Sequence, residues 1–99
     1  MEQRAIELHP EAIAEANGAR MWYAERSSIA ADAFMVELDD AIESICNRPD
    51  RWPIYSHGTR RYLMKRFPFL VVYRVTDDKL QVIAVAHGKR KPGYWRRRL

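Results

Sequence analysis

The 99-residue sequence has a single cysteine, no long apolar run and almost no acid in its second half. Cys46 has no partner for an intrachain disulfide, and we expect it to be a small filler on the buried side of a helix. No apolar run approaches the roughly 18 residues of a membrane helix. The first ten residues carry acids and no apolar stretch, which argues against a signal peptide. A length of 99 residues predicts one globular domain, residues 1–99, and the single thiol fits a reducing cytoplasm.

Charge is divided unevenly along the chain. The residues up to 56 include five Lys or Arg and eleven Asp or Glu, whereas the residues after 56 include twelve and two. The two acids of the second part are Asp77 and Asp78. A net charge of +4 therefore conceals about −6 in the first part and about +10 in the second. A positive field this dense on a small domain predicts binding to nucleic acid or to an acidic protein segment.

The first half of the sequence has helical periodicity after a short alternating segment. Residues 4–8 alternate and predict a strand, and Pro10 suits the first turn of a helix over residues 11–26. Ser27 and Ser28 suit the cap of a second helix over residues 29–47. The predicted core stripes of the two helices are Ala12, Ala16, Ala19 and Tyr23, and Ala31, Phe34, Leu38, Ala41, Ile42 and Ile45.

The second half alternates with period two, as strands do. After a loop over residues 48–59, we expect strands at residues 61–67, 69–76 and 80–86, with a tight turn at Asp77-Asp78. The last strand is apolar enough for burial on both faces. This order predicts an α+β fold, with an N-terminal short strand and an antiparallel helical hairpin on one face of a mainly antiparallel four-stranded sheet. The other sheet face is expected to meet solvent or a partner.

Two segments of the sequence carry a family resemblance. RRYLMKRFPFLVVYRV (60–75) and VIAVAHGKRKPGYWRRR (82–98), together with WYAERS (22–27), resemble the RelE/ParE superfamily of bacterial toxins from type II toxin–antitoxin modules, which includes plasmid stabilisation proteins. The resemblance covers nearly the whole chain. It implies the fold described above and, as partner, an antitoxin whose C-terminal segment wraps the toxin. It also implies that operator DNA is bound only through the antitoxin.

The resemblance implies two different activities. RelE-like toxins cleave mRNA in the ribosomal A site, whereas ParE-like toxins inhibit DNA gyrase and need no catalytic residue. A RelE-like scheme would use Lys65, on the first strand after the loop, and Arg90 to neutralise phosphate, with Tyr94 or His87 as acid or base. RelE-like toxins also place an Arg just before the apolar run of the middle strand. Here that position is occupied by Phe69-Leu70-Val71, which favours the ParE-like activity.

Several cations and two aromatic residues are candidates for binding a target or an antitoxin. They are Arg60, Arg61, Lys65, Arg66, Lys89, Arg90, Tyr94, Trp95 and Arg96. Three alternatives stay open: the sheet cations as edge protection, Tyr94 and Trp95 as packing for the tail, and the chain as a nucleic-acid-binding module without toxicity. The spacing of the three His does not suit a metal site, and no cofactor is expected.

Overall fold

The computed structural model describes residues 5–99, in which two helices pack on a four-stranded sheet. In chain order the elements are β1 (Ala5–Leu8), α1 (Pro10–Ala24), α2 (Ser28–Asn47), β2 (Arg60–Leu63), β3 (Phe69–Val75) and β4 (Lys79–His87). One-turn 3₁₀ helices lie at Ser56–Gly58 and Arg96–Arg98. The predicted α+β class is therefore confirmed. Residues 1–4, including the first residue of the predicted strand 4–8, lie outside the described part.

Polar side chains cap the start of both helices. His9 caps α1 by accepting the backbone N–H of Glu11 at 3.1 Å, and Pro10 occupies the first turn. The Ser27 hydroxyl accepts the N–H of Ala30 at 3.2 Å and caps α2. The three residues between the helices fold the chain back into the expected hairpin.

The inward faces of the helices follow the predicted stripes. Phe34, Ala41 and Ile45 are fully buried against the sheet, and Tyr23 and Cys46 are partly buried beside them. Burial raises the pKa of the Cys46 thiol, as expected of a thiol held in a core.

The sheet has the strand order β1-β4-β3-β2. β1 runs parallel to β4, and the other two pairs are antiparallel. Between Val72 and Tyr73 the β3–β4 register shifts, as at a β-bulge. Ile83 and Ala84 consequently share one face of β4, opposite the face that buries Val82 and Val85. β4 is thus buried on both faces, as predicted.

The first strand after the loop is shorter than predicted. The sequence predicts a strand over residues 61–67 with Lys65 on it, but β2 ends at Leu63. The physical reason is Glu37, a buried carboxylate on α2 that accepts the backbone N–H groups of Lys65 and Arg66. Backbone groups bound in this way cannot continue the sheet, so Lys65 lies in the β2–β3 connection.

The expectation that the second sheet face is left open is wrong. The C-terminal tail crosses this face, and Trp95, 1% exposed, packs on it. Tyr55 from the long loop and Leu99 from the chain end border the same cluster. Tyr94 and Trp95 therefore take the packing role that the sequence left as an alternative. The cluster beneath them consists of Val72, Ile83, Ala84 and Ala86.

Two features are absent from residues 5–99. Neither α1 nor α2 combines the length and the apolar character needed to cross a bilayer. Within the same residues, no group of three or more His, Cys, Asp or Glu side chains is arranged to hold a metal ion.

Candidate binding site

The centre of the candidate site is a ridge formed by Arg90 and Tyr94 in the turns that follow β4. The Arg90 guanidinium lies 3.8 Å from the centre of the Tyr94 ring, a distance typical of a cation–π pair. We call this pair the Arg90–Tyr94 ridge. It separates two surface depressions of opposite character, and it unites two of the residues that the sequence singled out.

Glu15 on α1 holds the ridge in place. Its carboxylate accepts the Tyr94 hydroxyl at 2.6 Å and forms two bonds of 2.9 Å with the Arg98 guanidinium. Burial, and then the hydrogen bond to Glu15, raise the pKa of the Tyr94 phenol far above its ordinary value. The Arg98 side chain is only 9% exposed, so this ion pair is largely shielded from solvent.

The same ion pair completes an open stretch of the sheet. β1 ends at Leu8, opposite Val82, so the following groups of β4 have no strand beside them. Glu15 accepts the backbone N–H of Val85 at 3.0 Å, and Arg98 donates to the carbonyl of Ile83 at 3.0 Å. One residue of a parallel strand would satisfy these two groups in the same way. The tail is thereby fixed to α1 and to β4 together.

An apolar groove lies on one side of the Arg90–Tyr94 ridge. Its volume is about 440 Å³. Trp22 is 51% exposed along it, and a Cβ added to Gly18 would meet nothing within 4 Å. Its main lining residues are Gly18, Trp22, Tyr23, Phe69, His87 and Arg90. The groove therefore offers aromatic surface with positive charge at its margin.

A cationic cleft lies on the other side of the ridge. It has a volume of about 420 Å³ and is lined chiefly by Arg90, Lys91, Pro92, Gly93, Arg96 and Arg97. Gly93 has a φ of 84°, the left-handed conformation that glycine adopts most readily, and it turns the tail back over the sheet.

The other predicted cations lie apart from the ridge. Arg60 donates to the Trp52 carbonyl at 2.6 Å, and the Arg61 guanidinium lies 4.8 Å from the centre of the Tyr55 ring. Lys65 and Arg66 occupy the β2–β3 connection, where Arg66 pairs with Glu37 at 3.3 Å. None of these four cations lines either depression. The structure therefore joins His87, Arg90 and Tyr94 around the groove but leaves Lys65 elsewhere.

His87 has a defined local environment at the end of β4. Its Nδ1 accepts the backbone N–H of Lys89 at 3.1 Å, and its ring lies edge-on to Phe69 at 5.1 Å between centroids. These contacts fix the imidazole at the wall of the apolar groove.

Two acids were not singled out from the sequence: Glu15, which supports the ridge, and Glu37, which holds the β2–β3 connection. Glu15 follows Ala12 by three residues and precedes Ala19 by four, so it falls on the apolar stripe of α1. Glu37 has the same relation to Phe34 and Ala41 on α2. An acid within an apolar stripe is the signal that would have identified both, because a buried carboxylate needs partners.

Comparisons with known proteins agree with this architecture. No curated protein matches the sequence. Among solved structures, the chain resembles a chain of the "Chromosomal ParDE TA system from P. aeruginosa", with a TM-score of 0.76 and 15% identity. The alignment covers 86% of this chain and 96% of the other, and at this identity it shows a shared fold. A family model described as "ParE toxin of type II toxin-antitoxin system, parDE" matches residues 6–92. Since that match spans most of the sequence, the chain belongs to the ParE toxin family of type II toxin–antitoxin systems.

Proposed function

We propose that this protein arrests bacterial growth by binding and inhibiting DNA gyrase in the cytoplasm, and that a cognate antitoxin neutralises it. Membership of the ParE family supports the proposal. We choose an inhibitor over a ribonuclease because of the contacts that Tyr94 makes. Its hydroxyl is engaged by Glu15, and its ring lies beneath Arg90.

A ribonuclease needs groups free to exchange protons and a cation at the phosphate. A phenol with a raised pKa that already donates to a carboxylate is a poor base near neutral pH. The three residues at the start of β3 are apolar and supply no cation. Leu70 and Val71 pack into the two apolar clusters, and Phe69 packs on Phe34. The engaged Tyr94 hydroxyl and the apolar start of β3 therefore favour a binding surface over a ribonuclease site.

We place the antitoxin in the apolar groove rather than on the sheet face first expected, because Trp95 already covers that face. The groove has exposed aromatic surface from Trp22 and a cation, Arg90, at its margin. A segment with apolar side chains and neighbouring carboxylates complements both features. Gly18 adds room, since a Cβ added there would meet nothing within 4 Å.

The gyrase proposal is tested by giving purified protein to a gyrase supercoiling assay and to a translation assay read for mRNA cuts. We expect altered supercoiling and intact mRNA. Arg90→Ala should weaken inhibition by about 1–3 kcal/mol, as for a binding hot spot, and Arg20→Ala, an exposed change on α1, should have no effect. Tyr94→Phe should retain most of the inhibition, because it keeps the ring under Arg90. Codon-positioned mRNA cuts that Tyr94→Phe abolishes would instead establish a ribosome-dependent endoribonuclease.

The antitoxin proposal is tested by co-purification with the product of the neighbouring short reading frame, followed by thermal melts. At a free antitoxin concentration about 100 times Kd, binding should stabilise the toxin by about 2.7 kcal/mol. Gly18→Leu should fill the groove and reduce this gain, whereas Asn17→Leu, on the exposed side of α1, should preserve it. Undiminished binding by the Gly18→Leu protein would exclude the groove as the antitoxin site.

A further inference from the structure

The cationic cleft is chemically distinct from the apolar groove beside it. Pro92, Gly93 and the Tyr94 ring line part of it, and the other lining residues are charged. One acid, Glu11, also lines the cleft, and it pairs with Arg98 at 3.7 Å. Arg98 at the edge pairs with Glu15 as well, but within residues 5–99 ion pairs engage none of the four exposed cations. These four cations are Arg90, Lys91, Arg96 and Arg97. Four cations around one depression, without an ion-pair partner in the described part of the chain, favour the binding of a ligand with several negative charges.

We propose that the cationic cleft binds the phosphate backbone of duplex DNA, without regard to base sequence. Phosphate oxygens accept well from guanidinium and ammonium groups, and successive phosphates present repeated charges to a row of cations. Such contacts position a protein on DNA and carry no base readout. The binding is therefore a sequence-independent contact, separate from any recognition of an operator.

The aromatic residues of the tail favour a duplex over a single strand. Proteins that bind single strands stack unpaired bases on exposed aromatic rings. Here the Tyr94 ring is covered by Arg90, and Trp95 is 1% exposed beneath the tail. The cleft therefore provides charge for a backbone and no platform for a base. A duplex, whose bases stay stacked on each other, matches that surface.

The lining of the cleft also disfavours an acidic protein segment as its occupant. Protein partners anchor through apolar and aromatic side chains in buried pockets, with charges at the rim. The apolar surface nearest the cleft lies across the Arg90–Tyr94 ridge, in the groove. The choice of DNA over RNA rests on the proposed function, in which the toxin acts on an enzyme that holds duplex DNA.

Fluorescence anisotropy with a labelled duplex DNA of roughly 20 base pairs and the full-length protein tests the proposal. With about four phosphate contacts, the slope of log K against log salt should be about −3.6, so affinity should fall about 150-fold between 50 and 200 mM salt. Neutralising the cleft should weaken binding about tenfold or more at low salt and flatten the slope. That variant replaces Arg90, Lys91, Arg96 and Arg97 with Gln.

A matched control removes the same charge elsewhere on the surface. It replaces Arg20, Arg48, Arg51 and Lys79 with Gln, all exposed and outside the cleft. The control should bind DNA as the parent does, and melting curves should show both variants folded. If the control weakened DNA binding as much as the cleft variant, the effect would be one of overall charge, and the cleft would be excluded as the DNA site.

Competition distinguishes the remaining occupants. Unlabelled duplex DNA should displace the probe, while polyglutamate at equal charge concentration should displace it poorly. Better displacement by polyglutamate would assign the cleft to an acidic protein, and better displacement by a duplex RNA of the same sequence would assign it to RNA. Both results would overturn the proposal. The anisotropy assay contains no gyrase, so a protein that fails to bind DNA in it can still inhibit gyrase. Likewise, a protein that does not inhibit gyrase can still bind DNA.

Discussion

At the scale of single residues, two acids on the helices determine how the basic half of the chain is arranged. Glu15 binds the tail and the free edge of β4, and Glu37 binds the β2–β3 connection. Each carboxylate accepts backbone N–H groups that the sheet leaves unpaired. The acidic half (residues 1–56) therefore holds the basic half (residues 57–99) through specific contacts of Glu15 and Glu37, in addition to the attraction between their opposite net charges.

The first residue-scale prediction concerns the ion pair of Arg98 with Glu15. Replacing Arg98 with Met removes the donor to Ile83 and leaves the Glu15 carboxylate, 19% exposed, without its charged partner. We expect the free energy of unfolding to fall by about 3 kcal/mol, as when one partner of a buried pair is lost. Urea denaturation measures the change. The neighbouring Arg97→Met, on an exposed residue, should change stability by less than about 0.5 kcal/mol. Equal effects of the two changes would contradict the role given to Arg98.

The second residue-scale prediction concerns acid and Glu37. Burial alone would raise the pKa of Glu37, but hydrogen bonds from the backbone of Lys65 and Arg66 and the Arg66 guanidinium lower it below the ordinary value of 4.5. A lowered folded-state pKa stabilises the protein above about pH 4.5, and this stabilisation is lost as pH falls through the folded-state value.

Glu37→Gln should therefore cost about 1–2 kcal/mol at pH 7, and the difference from the parent should shrink as the pH falls below 4.5. Melts between pH 3 and 7 measure it, with the exposed Asp39→Asn as control. A difference that stays constant over this range would show that the charge of Glu37 is not involved.

At the scale of elements, the sequence predicts the regular parts of the fold and misses those that depend on contacts between distant residues. Both helices and the two long strands follow from periodicity and capping residues near them in sequence. The early end of β2 depends on Glu37, 28 residues before Lys65. The sheet face is covered by the C-terminal tail. In the sequence, Tyr94 and Trp95 lie among Lys and Arg residues, and such a segment is expected to be exposed. For the candidate site, Arg90 and Tyr94 were identified from the resemblance, while their support by Glu15 was not.

The element-scale prediction concerns the middle of α1. Gly18 has no left-handed φ, and an added Cβ would meet nothing within 4 Å, so the chain itself gives no structural reason for a glycine there. Gly18→Ala should raise the free energy of unfolding by about 0.5–1 kcal/mol through helix propensity. Gly93→Ala is the matched contrast and should destabilise, because its φ of 84° disfavours a side chain. Thermal melts of both proteins measure these changes. A Gly18→Ala protein less stable than the parent would show that α1 needs a glycine at this position.

At the scale of the whole molecule, charge and apolar surface are separated in space, and they should act on different steps of binding. The basic half carries twelve cations and two acids, a field that steers an acidic partner during encounter. The apolar groove contributes after contact, when water leaves Trp22 and its neighbours. Mutations in the two regions should therefore have different kinetic effects.

Stopped-flow or surface-based kinetics with the antitoxin test this separation. Lys65→Gln removes an exposed cation outside the groove and should lower the association rate constant roughly 2- to 5-fold at low salt, with little effect on dissociation. Gly18→Leu occupies the groove and should raise the dissociation rate constant about tenfold or more, with association nearly unchanged. Arg48→Gln removes one positive charge from the acidic half and should leave both constants close to the parent values. If salt removed the effect of Gly18→Leu but not that of Lys65→Gln, the separation of steering and anchoring would be wrong, because only screened charges respond to ionic strength.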